Sequence, residues 1–468
     1  MTSLSETSIL SGASGQSTGY TIGQSIRFNN DDDAYLHRTQ DTADSKRKLT
    51  FSWWMKRGSS LGSEMCVISA GASARFMSRF NTSDQLTFRL TNSTTEKTMT
   101  TAMVFRDVSA WYHCVWVADC TTGSEFSRLY VNGLQVTMTG TQPSADTDFA
   151  GYGDGSVMGI STLAHSLSSQ EFDGYLAEMH LIDGYAYGPE YFGEFKEDTD
   201  IWIPKKYAGS YGTNGFFVDG RDSSDLGDDE SGNGNDFATN GLASNDQRAD
   251  TPTNNQITFN PLNNQRSGGT PRNGNLDYTG PSTRTNISLT ANIPATGKWA
   301  VAFKATNNSN DEWNMGITKA TNSNFGDAAG SNEAIGGQDN DGIQFLPSSN
   351  DASLYNYIGS AAIDPSLPIT TSDEFWMAVD MGTGKCFLGI YDASATAMKF
   401  VAADAGIDGN PATGDNPTIT ISDMIGSLDY AFAVNSKNTN VWSLLRSTDV
   451  SGTTPTGYTY FENVEDLL

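Results

Sequence analysis

Hydrophobic and polar residues alternate along most of the chain in short runs separated by turn-forming residues. Residues 49–55 read LTFSWWM and residues 86–90 read LTFRL. Both runs are rich in aromatic and β-branched side chains and are too short for a typical helix. The second half of the chain has no apolar repeat with the 3.6-residue period of a long amphipathic helix. The pattern therefore predicts an all-β protein built from antiparallel strands.

One run predicts a strand at the centre of a sheet. Residues 111–117 read WYHCVWV, and successive side chains of a strand point to opposite faces. The two faces are both largely apolar, so we expect both to be covered, as in the middle of a β-sandwich. One face carries Trp111, His113, Val115 and Val117, and the other carries Tyr112, Cys114 and Trp116.

A hairpin is predicted shortly after this strand. Residues 128–136, RLYVNGLQV, place Asn132-Gly133 between apolar residues. A type I′ turn needs a positive φ at both central positions, and Asn-Gly is the pair that adopts it most readily.

The length of 468 residues predicts more than one hydrophobic core. Residues 1–24 are rich in Ser, Gly and Thr and predict an irregular arm that orders only against a neighbour. Residues 25–200 predict a first β-sandwich. Residues 201–260 are dense in Gly, Asn and Asp and are interpreted as a connector. Residues 261–468 predict a second β-sandwich, with runs such as KWAVAFKA, WNMGITKA, GIQFLPS, EFWMAVDM, KCFLGIYDA, TITIS and YAFAVNS.

Charge and cysteine usage narrow the class of protein. The formal net charge is −27, so we expect no binding to nucleic acid and little attraction to anionic membranes. There is no run of 18 apolar residues, so no membrane insertion is expected, and the start lacks the pattern of a signal peptide. The four cysteines lack metal-binding or disulfide-rich spacing, and we interpret them as buried free thiols made in a reducing cytoplasm. They are Cys66, Cys114, Cys120 and Cys386.

Several segments of the first half resemble one known fold family in the right order. RFNNDDDAYLHRT followed by LTFSWWMKRG resembles the opening of the laminin-G-like, concanavalin-type jelly rolls. SAWYHCVWVAD, SRLYVNGLQV and FDGYLAEMHLIDG resemble that family's tryptophan strand, its hairpin and its closing strand. The resemblance implies a jelly roll and leaves the ligand open, because this fold hosts lectins, glycosidases and inert structural modules.

The second half resembles SPRY modules, on the segments GKWAVAFKA, WNMGITKA and DEFWMAVDMGTGKCFLG. The whole order of motifs, from SGASGQ through FDGYLAE, YGTNGF and DESGNGNDF to the SPRY-like half, resembles structural proteins of marine tailed phages. That resemblance implies a virion appendage: a tail fibre, a head fibre or a capsid decoration.

One loop is a candidate calcium site. Asp229, Ser231, Asn233 and Asn235 alternate along DESGNGND, with Gly234 at the sixth position, as in an EF-type loop. The twelfth position is Asn240 where such loops have a bidentate Glu. A metal-free cluster of Asx turns explains the same residues, and no cofactor other than this optional Ca²⁺ is expected.

Three carboxylates near one predicted strand suggest catalysis, but their spacing does not fit it. Glucanases of this fold carry two carboxylates on one strand, and Glu171, Asp173 and Glu178 suggest such a pair. In a regular strand Glu178 has the opposite parity to Asp173 and lies about 16 Å beyond it. We therefore expect no catalytic residues and no enzyme, although a bulge could change the parity.

Carbohydrate recognition would need exposed aromatic rings beside polar side chains. Strand tryptophans are expected in the core. The aromatic residues expected to be more exposed are Trp313, Tyr152, Tyr355 and Tyr357.

Together with these patterns, the resemblance to phage structural proteins implies a non-enzymatic virion structural protein that is assembled in the host cytoplasm and displayed on the virion surface. The favoured function is a tail-fibre-like appendage that adheres to a host cell-surface glycan. The arm would bind other capsid or tail proteins, and the chain would form a homo-oligomer, with a trimer as the first expectation. The alternatives are a capsid decoration or head-fibre protein without a ligand, and a polysaccharide depolymerase.

Overall fold

A computed structural model describes residues 19–464 with internal gaps. The gaps are residues 73–75, 92–94, 124, 198–199, 265–268, 282–284, 306–313, 320–334, 336–341, 348–351, 357–361, 364–369, 405 and 437–439. Side chains are also undescribed at residues 264, 342–347, 352–356 and 362–363. The chain divides into two compact units, Met1–Gln256 and Ile257–Leu468.

The described part of the first unit consists of strands and short 3₁₀ turns. The strands are β1 (Ser25–Phe28), β2 (Tyr35–Thr39), β3 (Lys48–Arg57), β4 (Met65–Ala70), β5 (Phe76–Phe80), β6 (Leu86–Thr91), β7 (Glu96–Thr101), β8 (Tyr112–Asp119), β9 (Ser127–Val131), β10 (Leu134–Val136), β11 (Met138–Gly140), β12 (Val157–Ile160), β13 (Gly174–Asp183), β14 (Gly193–Phe195), β15 (Trp202–Pro204), β16 (Phe216–Val218), β17 (Ala238–Asn240) and β18 (Gln247–Arg248). The 3₁₀ turns are Asn30–Asp32, Pro189–Tyr191 and Ser244–Asp246.

Sixteen of these strands form two antiparallel sheets that enclose one core, and β14 and β15 pair in a separate two-stranded sheet. The first sheet has the order β10-β9-β8-β3-β13-β1-β18, with β16 also paired to β13. The second has the order β11-β7-β6-β5-β4-β12-β2-β17. Buried side chains from both sheets, among them Trp53, Trp116, Phe76 and Phe88, belong to the same core cluster. The first unit is therefore the predicted β-sandwich.

The strand at residues 111–117 lies where the pattern places it. It is β8, which pairs with β9 on one side and β3 on the other. Cys114 and Trp116 belong to the main core, whereas Val115 and Val117 pack on the opposite face. The hairpin is also confirmed, because Asn132 and Gly133 have φ values of 48° and 81° between β9 and β10.

The interpretation of residues 201–260 as a connector is wrong for most of that segment. β16 pairs with β13, β17 with β2 and β18 with β1, so the segment extends both sheets of the first unit. Its apolar side chains Phe216, Val218, Leu226 and Phe237 lie in the main core. The Gly, Asn and Asp residues form turns between strands of two or three residues.

The predicted arm falls mostly outside the described residues. Residues 1–18 are not described, and Tyr20 and Ile22 pack on the first unit's own sheet together with Trp54, Trp111 and Tyr175. Residues 20–22 therefore belong to the first unit.

The second unit is also built from antiparallel sheets. Its strands are β19 (Phe259–Asn264), β20 (Thr270–Arg272), β21 (Asp277–Thr279), β22 (Thr285–Leu289), β23 (Lys298–Ala305), β24 (Asn314–Lys319), β25 (Gly342–Pro347), β26 (Ala352–Asn356), β27 (Ala362–Ile363), β28 (Glu374–Asp380), β29 (Lys385–Asp392), β30 (Ala397–Phe400), β31 (Ile419–Thr420), β32 (Tyr430–Ser436), β33 (Val441–Leu444) and β34 (Thr459–Tyr460), with a 3₁₀ turn at Ser422–Met424.

One sheet of this unit has the order β19-β22-β32-β24-β25-β26-β27. The other has the order β20-β21-β33-β23-β28-β29-β30, with β31 on β29 and β34 parallel to β23. The predicted strand KWAVAFKA is β23, and Ala300, Ala302, Trp376 and Phe387 form part of the core. The all-β prediction is confirmed for both units.

All four cysteines are buried free thiols, as predicted. Among the described residues, no helix combines the length and hydropathy needed to cross a membrane.

Candidate functional site

The first sheet has a second apolar surface on the side turned away from the main core, which we call the outer face. Along β13, Leu176, Met179 and Leu181 point into the core, whereas Tyr175 and Ile182 belong to clusters on the other side. The segment that follows β13 folds back over this face. Phe192 and Tyr207 from that segment pack against Val115, Val117 and Ile182.

A β-bulge in the middle of β13 shapes this face. The pairing of β13 with β3 shifts register between Ala177 and His180, and Glu178 has a φ of 48°. A bulge inserts an extra residue and re-aims the side chains beyond it. Glu178 and His180 lie in contact, with 3.3 Å between Glu178 Oε2 and His180 Nε2. The parity expected for a regular strand does not hold at Glu178.

The Glu178 carboxylate is held in place by its neighbours. Its side chain is 8% exposed, and the Tyr20 hydroxyl donates a hydrogen bond to Oε1 at 2.8 Å. His180 is fixed in turn by the Tyr211 hydroxyl, 3.0 Å from Nδ1, and by the Phe217 ring, which stacks on it at 4.2 Å. Burial, together with the nearby Glu178 charge, raises the pKa of the Tyr20 hydroxyl far above its ordinary value. Tyr20 is therefore a hydrogen-bond donor at every physiological pH.

A cleft of about 310 Å³ opens beside this carboxylate, and we call it the Glu178 cleft. Its lining includes Tyr20, Gln24, Glu178, Phe217, Asp219 and Arg221, with Lys206 at the exposed rim. Arg221 Nη2 lies 2.6 Å from Asp219 Oδ2, and Arg221 Nε lies 3.2 Å from Glu230 Oε1. The hydrogen bond to Asp219 raises the pKa of Arg221. The cleft thus combines two aromatic rings with oriented charged groups.

Three tyrosines form an exposed stack next to the covered part of the outer face. The ring centroids of Tyr185 and Tyr187 are 5.3 Å apart with planes at 8°, and those of Tyr187 and Tyr191 are 4.2 Å apart at 24°. Tyr185 and Tyr191 are each 44% exposed. We call Tyr185, Tyr187 and Tyr191 the tyrosine ladder.

The backbone of the tyrosine ladder is tied to the sheet. The Thr50 hydroxyl on β3 accepts a hydrogen bond from the Tyr187 amide at 2.8 Å and donates to the Tyr185 carbonyl at 3.1 Å. The rings are therefore presented by a loop that is already ordered, which lowers the entropy lost on binding a ligand.

A chain of ring contacts connects the tyrosine ladder with the Glu178 cleft. Tyr187 contacts Tyr207 at 6.3 Å, Tyr207 contacts His180 at 6.0 Å, and His180 stacks on Phe217, which lines the cleft. The two features are therefore connected through a layer of packed rings in which Tyr207 and His180 are buried.

A second histidine is buried on the same outer face. His113 stacks on Trp54 at 4.6 Å, and the Trp202 indole donates a hydrogen bond to its Nδ1 at 2.9 Å. Nε2 therefore carries the proton and lies 2.9 Å from the Ser52 hydroxyl. Burial lowers the pKa of His113 to about 3, so the ring is neutral at physiological pH.

The candidate calcium loop is a closed network of turns. The Asp229 carboxylate accepts hydrogen bonds from the amides of Phe217, Ser231 and Asn235 and from the Ser231 hydroxyl. Asn233 Nδ2 donates to the carbonyls of Gly212 and Gly215. The structure therefore uses these oxygens and amides within the loop, as the metal-free interpretation describes.

Asn235 serves the same loop. Its Nδ2 donates to the carbonyls of Thr213 and Gly215, and its Oδ1 accepts from the buried guanidinium of Arg38 at 2.8 Å. A cation at that oxygen would compete with a positive charge. The described residues contain no cluster of three or more His, Cys, Asp or Glu suited to a metal ion.

The predicted exposure is wrong for one of the four aromatic residues. Tyr152 is fully buried, and its ring contacts Phe76 at 5.5 Å. The loop that carries it folds back on the second sheet, where the Ala150 amide donates to the Thr91 carbonyl. Trp313 and Tyr357 lie outside the described residues. Tyr355 lies in β26, and its side chain is outside the described part.

The carboxylates considered for catalysis belong to separate hydrogen-bond networks. Asp173 accepts from the Ser60 amide at 3.0 Å, and burial raises its pKa. Glu178 is bound to Tyr20 and His180.

Comparison with known proteins identifies the class of the first unit. Residues 28–186 match a family described as the concanavalin A-like lectin/glucanases superfamily. The first unit therefore contains a laminin-G-like, concanavalin A-type jelly roll. Tyr20, Lys206, Phe217, Asp219 and Arg221 lie outside the matched residues, so most of the Glu178 cleft is built from segments added to that core.

Solved structures show distant similarity. The mouse laminin α1 chain domains LG4-5 share 7% identity, with 96% of this chain and 90% of that chain covered and a TM-score of 0.29. The SPRY domain of human HERC1 shares 14% identity, with 40% of this chain and 96% of that chain covered and a TM-score of 0.28. The TRIM65 PSpry domain shares 9% identity, with 41% of this chain and 90% of that chain covered and a TM-score of 0.30. No curated protein sequence gives a significant match.

Proposed function

We propose that this protein is a non-enzymatic carbohydrate-binding protein and that the tyrosine ladder is its main contact surface. The observation that carries the proposal is the pair of 44%-exposed rings, Tyr185 and Tyr191, stacked on either side of Tyr187 in a loop bound to β3. Apolar C–H faces of sugar rings pack on aromatic rings, and rigid aromatic side chains supply contact area at a low entropic cost.

The surroundings of the tyrosine ladder suit a polyhydroxylated ligand. Glu190, Glu194 and Lys205 are exposed near it in the chain, with an ion pair of 3.5 Å between Lys205 and Glu194. Such groups donate and accept hydrogen bonds at the rim of a stacking surface. The laminin-G-like fold is compatible with a binding role of this kind.

A binding role without hydrolysis is also supported by the carboxylates. Retaining glycosidases need two carboxyl groups about 5–5.5 Å apart, one as acid and one as nucleophile. In the Glu178 cleft, Asp219 is paired with Arg221, and Glu178 is bound by Tyr20 and His180. These contacts favour fixed recognition groups.

We further propose that the binding serves adhesion of a phage particle to a host cell-surface glycan, from a tail-fibre-like appendage on the virion surface. This rests on the resemblance of the motif order to phage structural proteins. In this proposal residues 1–18 bind other virion proteins and the chain forms a homo-oligomer. Cryo-electron microscopy of particles labelled on this chain tests the location: label at a tail tip or projecting fibre supports adhesion, and label spread over the capsid lattice supports a decoration protein.

A glycan array tests the binding function on the intact protein. We expect one group of related glycans to bind the wild type. A Tyr185→Ala/Tyr191→Ala double variant should bind the same glycans with at least about tenfold lower affinity, because two stacking contacts are removed. Val104→Ala is the matched control, because Val104 is an exposed apolar residue (42%) elsewhere in the unit. Binding that survives in the double variant, or shortened oligosaccharide products after incubation, contradicts the proposal.

A further inference from the structure

We propose that the Glu178 cleft is a pocket for one neutral, pyranose-sized sugar residue at the end of a glycan whose remaining residues lie on the tyrosine ladder. This inference rests on the proposed carbohydrate-binding function and adds to it a specificity pocket for chain ends.

The size and charge of the cleft favour this ligand class. Its volume of about 310 Å³ is at the small end of the range for small-molecule sites, which suits a single ring. The charged residues in its lining are Glu178, Asp219, Arg221 and Lys206, two acidic and two basic. A balanced set of charges holds a neutral polyol by hydrogen bonds and has no excess charge for an ion.

The lining also has the two kinds of surface that a sugar ring needs. Tyr20 and Phe217 supply aromatic walls for the apolar face of the ring. Arg221 and Lys206 supply donors, and the Glu178 carboxylate supplies acceptors. Each Glu178 oxygen makes one of the hydrogen bonds described above, and a carboxylate oxygen has lone pairs for a second.

Backbone strain at Glu178 points to a role beyond folding. Its φ of 48° lies in the left-handed region that side chains other than Gly, Asn and Asp rarely adopt, and it occurs inside a central strand. Strained residues and β-bulges concentrate at binding and catalytic sites. Here the strain aims a carboxylate that is over nine-tenths buried at the cleft, and His180 and Tyr20 hold it there.

The position of the pocket predicts its function within the longer surface. Phe217 lines the cleft and is connected to the tyrosine ladder through the buried rings of His180 and Tyr207, so the cleft and the ladder lie on the same side of the sheet. A glycan lying on the ladder can place its terminal residue in the cleft. The ladder then contributes affinity for the chain, and the cleft distinguishes between terminal sugars.

Saturation-transfer NMR with a panel of methyl glycosides tests the pocket on the full chain. The panel is methyl α- and β-glycosides of glucose, galactose, mannose, N-acetylglucosamine and fucose at millimolar concentration. We expect at least one to bind the wild type, and Glu178→Gln and Arg221→Met each to weaken it at least about tenfold, because each removes a charged hydrogen-bond partner. Val104→Ala is the control, because Val104 is exposed (42%) and belongs neither to the ladder nor to the cleft, and it should bind that glycoside as the wild type does.

The outcomes separate this inference from the proposed function. If no glycoside binds, or if binding is unchanged in both Glu178→Gln and Arg221→Met, the pocket assignment is wrong even where array glycans bind through the ladder. If glycosides bind in the cleft while no array glycan depends on the ladder, the ladder assignment fails and the pocket stands. Thermal melting of each variant identifies loss of fold. Arg221 is exposed, and Met retains the apolar part of the Arg side chain, so Arg221→Met should leave the fold intact.

Discussion

Lys56 provides the sharpest test of whether residues 201–256 belong to the first unit. Lys56 lies on β3, and its side chain is 1% exposed. Its ammonium donates to Asp250 Oδ2 at 2.8 Å, to Asn255 Oδ1 at 2.8 Å and to the Gln256 carbonyl at 2.7 Å. All three acceptors come from the end of the segment that the sequence suggests is a connector.

Asp250→Asn removes the charge and keeps the shape. An Asn oxygen can still accept from the Trp111 indole and the Gln256 amide, which bind Asp250 Oδ1 in the wild type. Removing one partner of a buried ion pair typically costs about 3–5 kcal/mol. We expect a loss of about 3–5 kcal/mol at pH 7.

Hydrogen exchange followed by mass spectrometry measures this loss within the first unit. The amides of β3 and β13 should exchange at least about a hundredfold faster in Asp250→Asn, under conditions where exchange reports the opening equilibrium. Glu194→Gln is the control, because it breaks an exposed ion pair with Lys205 that is worth at most about 1 kcal/mol. If β3 exchanges at the wild-type rate in Asp250→Asn, the segment does not stabilise the unit and the reasoning fails.

Three further substitutions test other parts of the structure. His113 stays neutral in the folded protein but takes up a proton below about pH 6.5 when the chain unfolds, so the wild type should lose stability as the pH falls from about 6.5 towards 3. The loss is up to about 1.4 kcal/mol per pH unit. Urea denaturation should show a shallower loss of stability with falling pH for His113→Gln. Gly133→Ala places a Cβ 2.3 Å from Trp202 Cε3, whereas Gly123 has a similar φ and open space around it. In the same assay Gly133→Ala should lower the free energy of unfolding by at least about 2 kcal/mol more than Gly123→Ala does. Asp229→Ala should lower stability by about 2–3 kcal/mol, and exchanging calcium for a chelator should shift the melting temperature of the wild type by less than about 2 °C. Equal slopes for His113, equal losses for the two glycines, or a larger calcium shift would each contradict the corresponding interpretation.

Much of the fold is predictable because its strands carry strong local signals. β8 has apolar side chains on both faces, and a strand of this kind is stable only when it is covered on both sides. The Asn132-Gly133 turn follows from backbone sterics alone. These features depend on short-range chemistry, which a sequence displays directly.

Residues 201–260 resemble a connector in sequence because their strands are too short to show a period. β16, β17 and β18 have two or three residues each, and alternation over three residues is not distinguishable from chance. The Gly, Asn and Asp residues between them have the composition of a linker. What distinguishes them is tertiary pairing with β13, β2 and β1, which no local pattern reports.

The candidate site was only partly predictable for a similar reason. The segment GYAYGPEYFG has three tyrosines between glycines, and that density of aromatic residues in a turn-rich segment was an available signal for the tyrosine ladder. The Glu178 cleft was not accessible in this way. Side-chain parity predicts the face of Glu178 only in a regular strand, and the bulge between Ala177 and His180 is seen in the pairing with β3. Tyr20 reaches Glu178 across 158 residues of sequence.

The most direct test of the central claim is a crystal structure of the intact chain with the tightest-binding glycan from the array. We predict sugar density stacked on Tyr185 or Tyr191, with the terminal residue in the Glu178 cleft within hydrogen-bonding distance of the Glu178 carboxylate. Ordered glycan bound on the second unit or on another surface of the first unit, with the outer face empty, would contradict it.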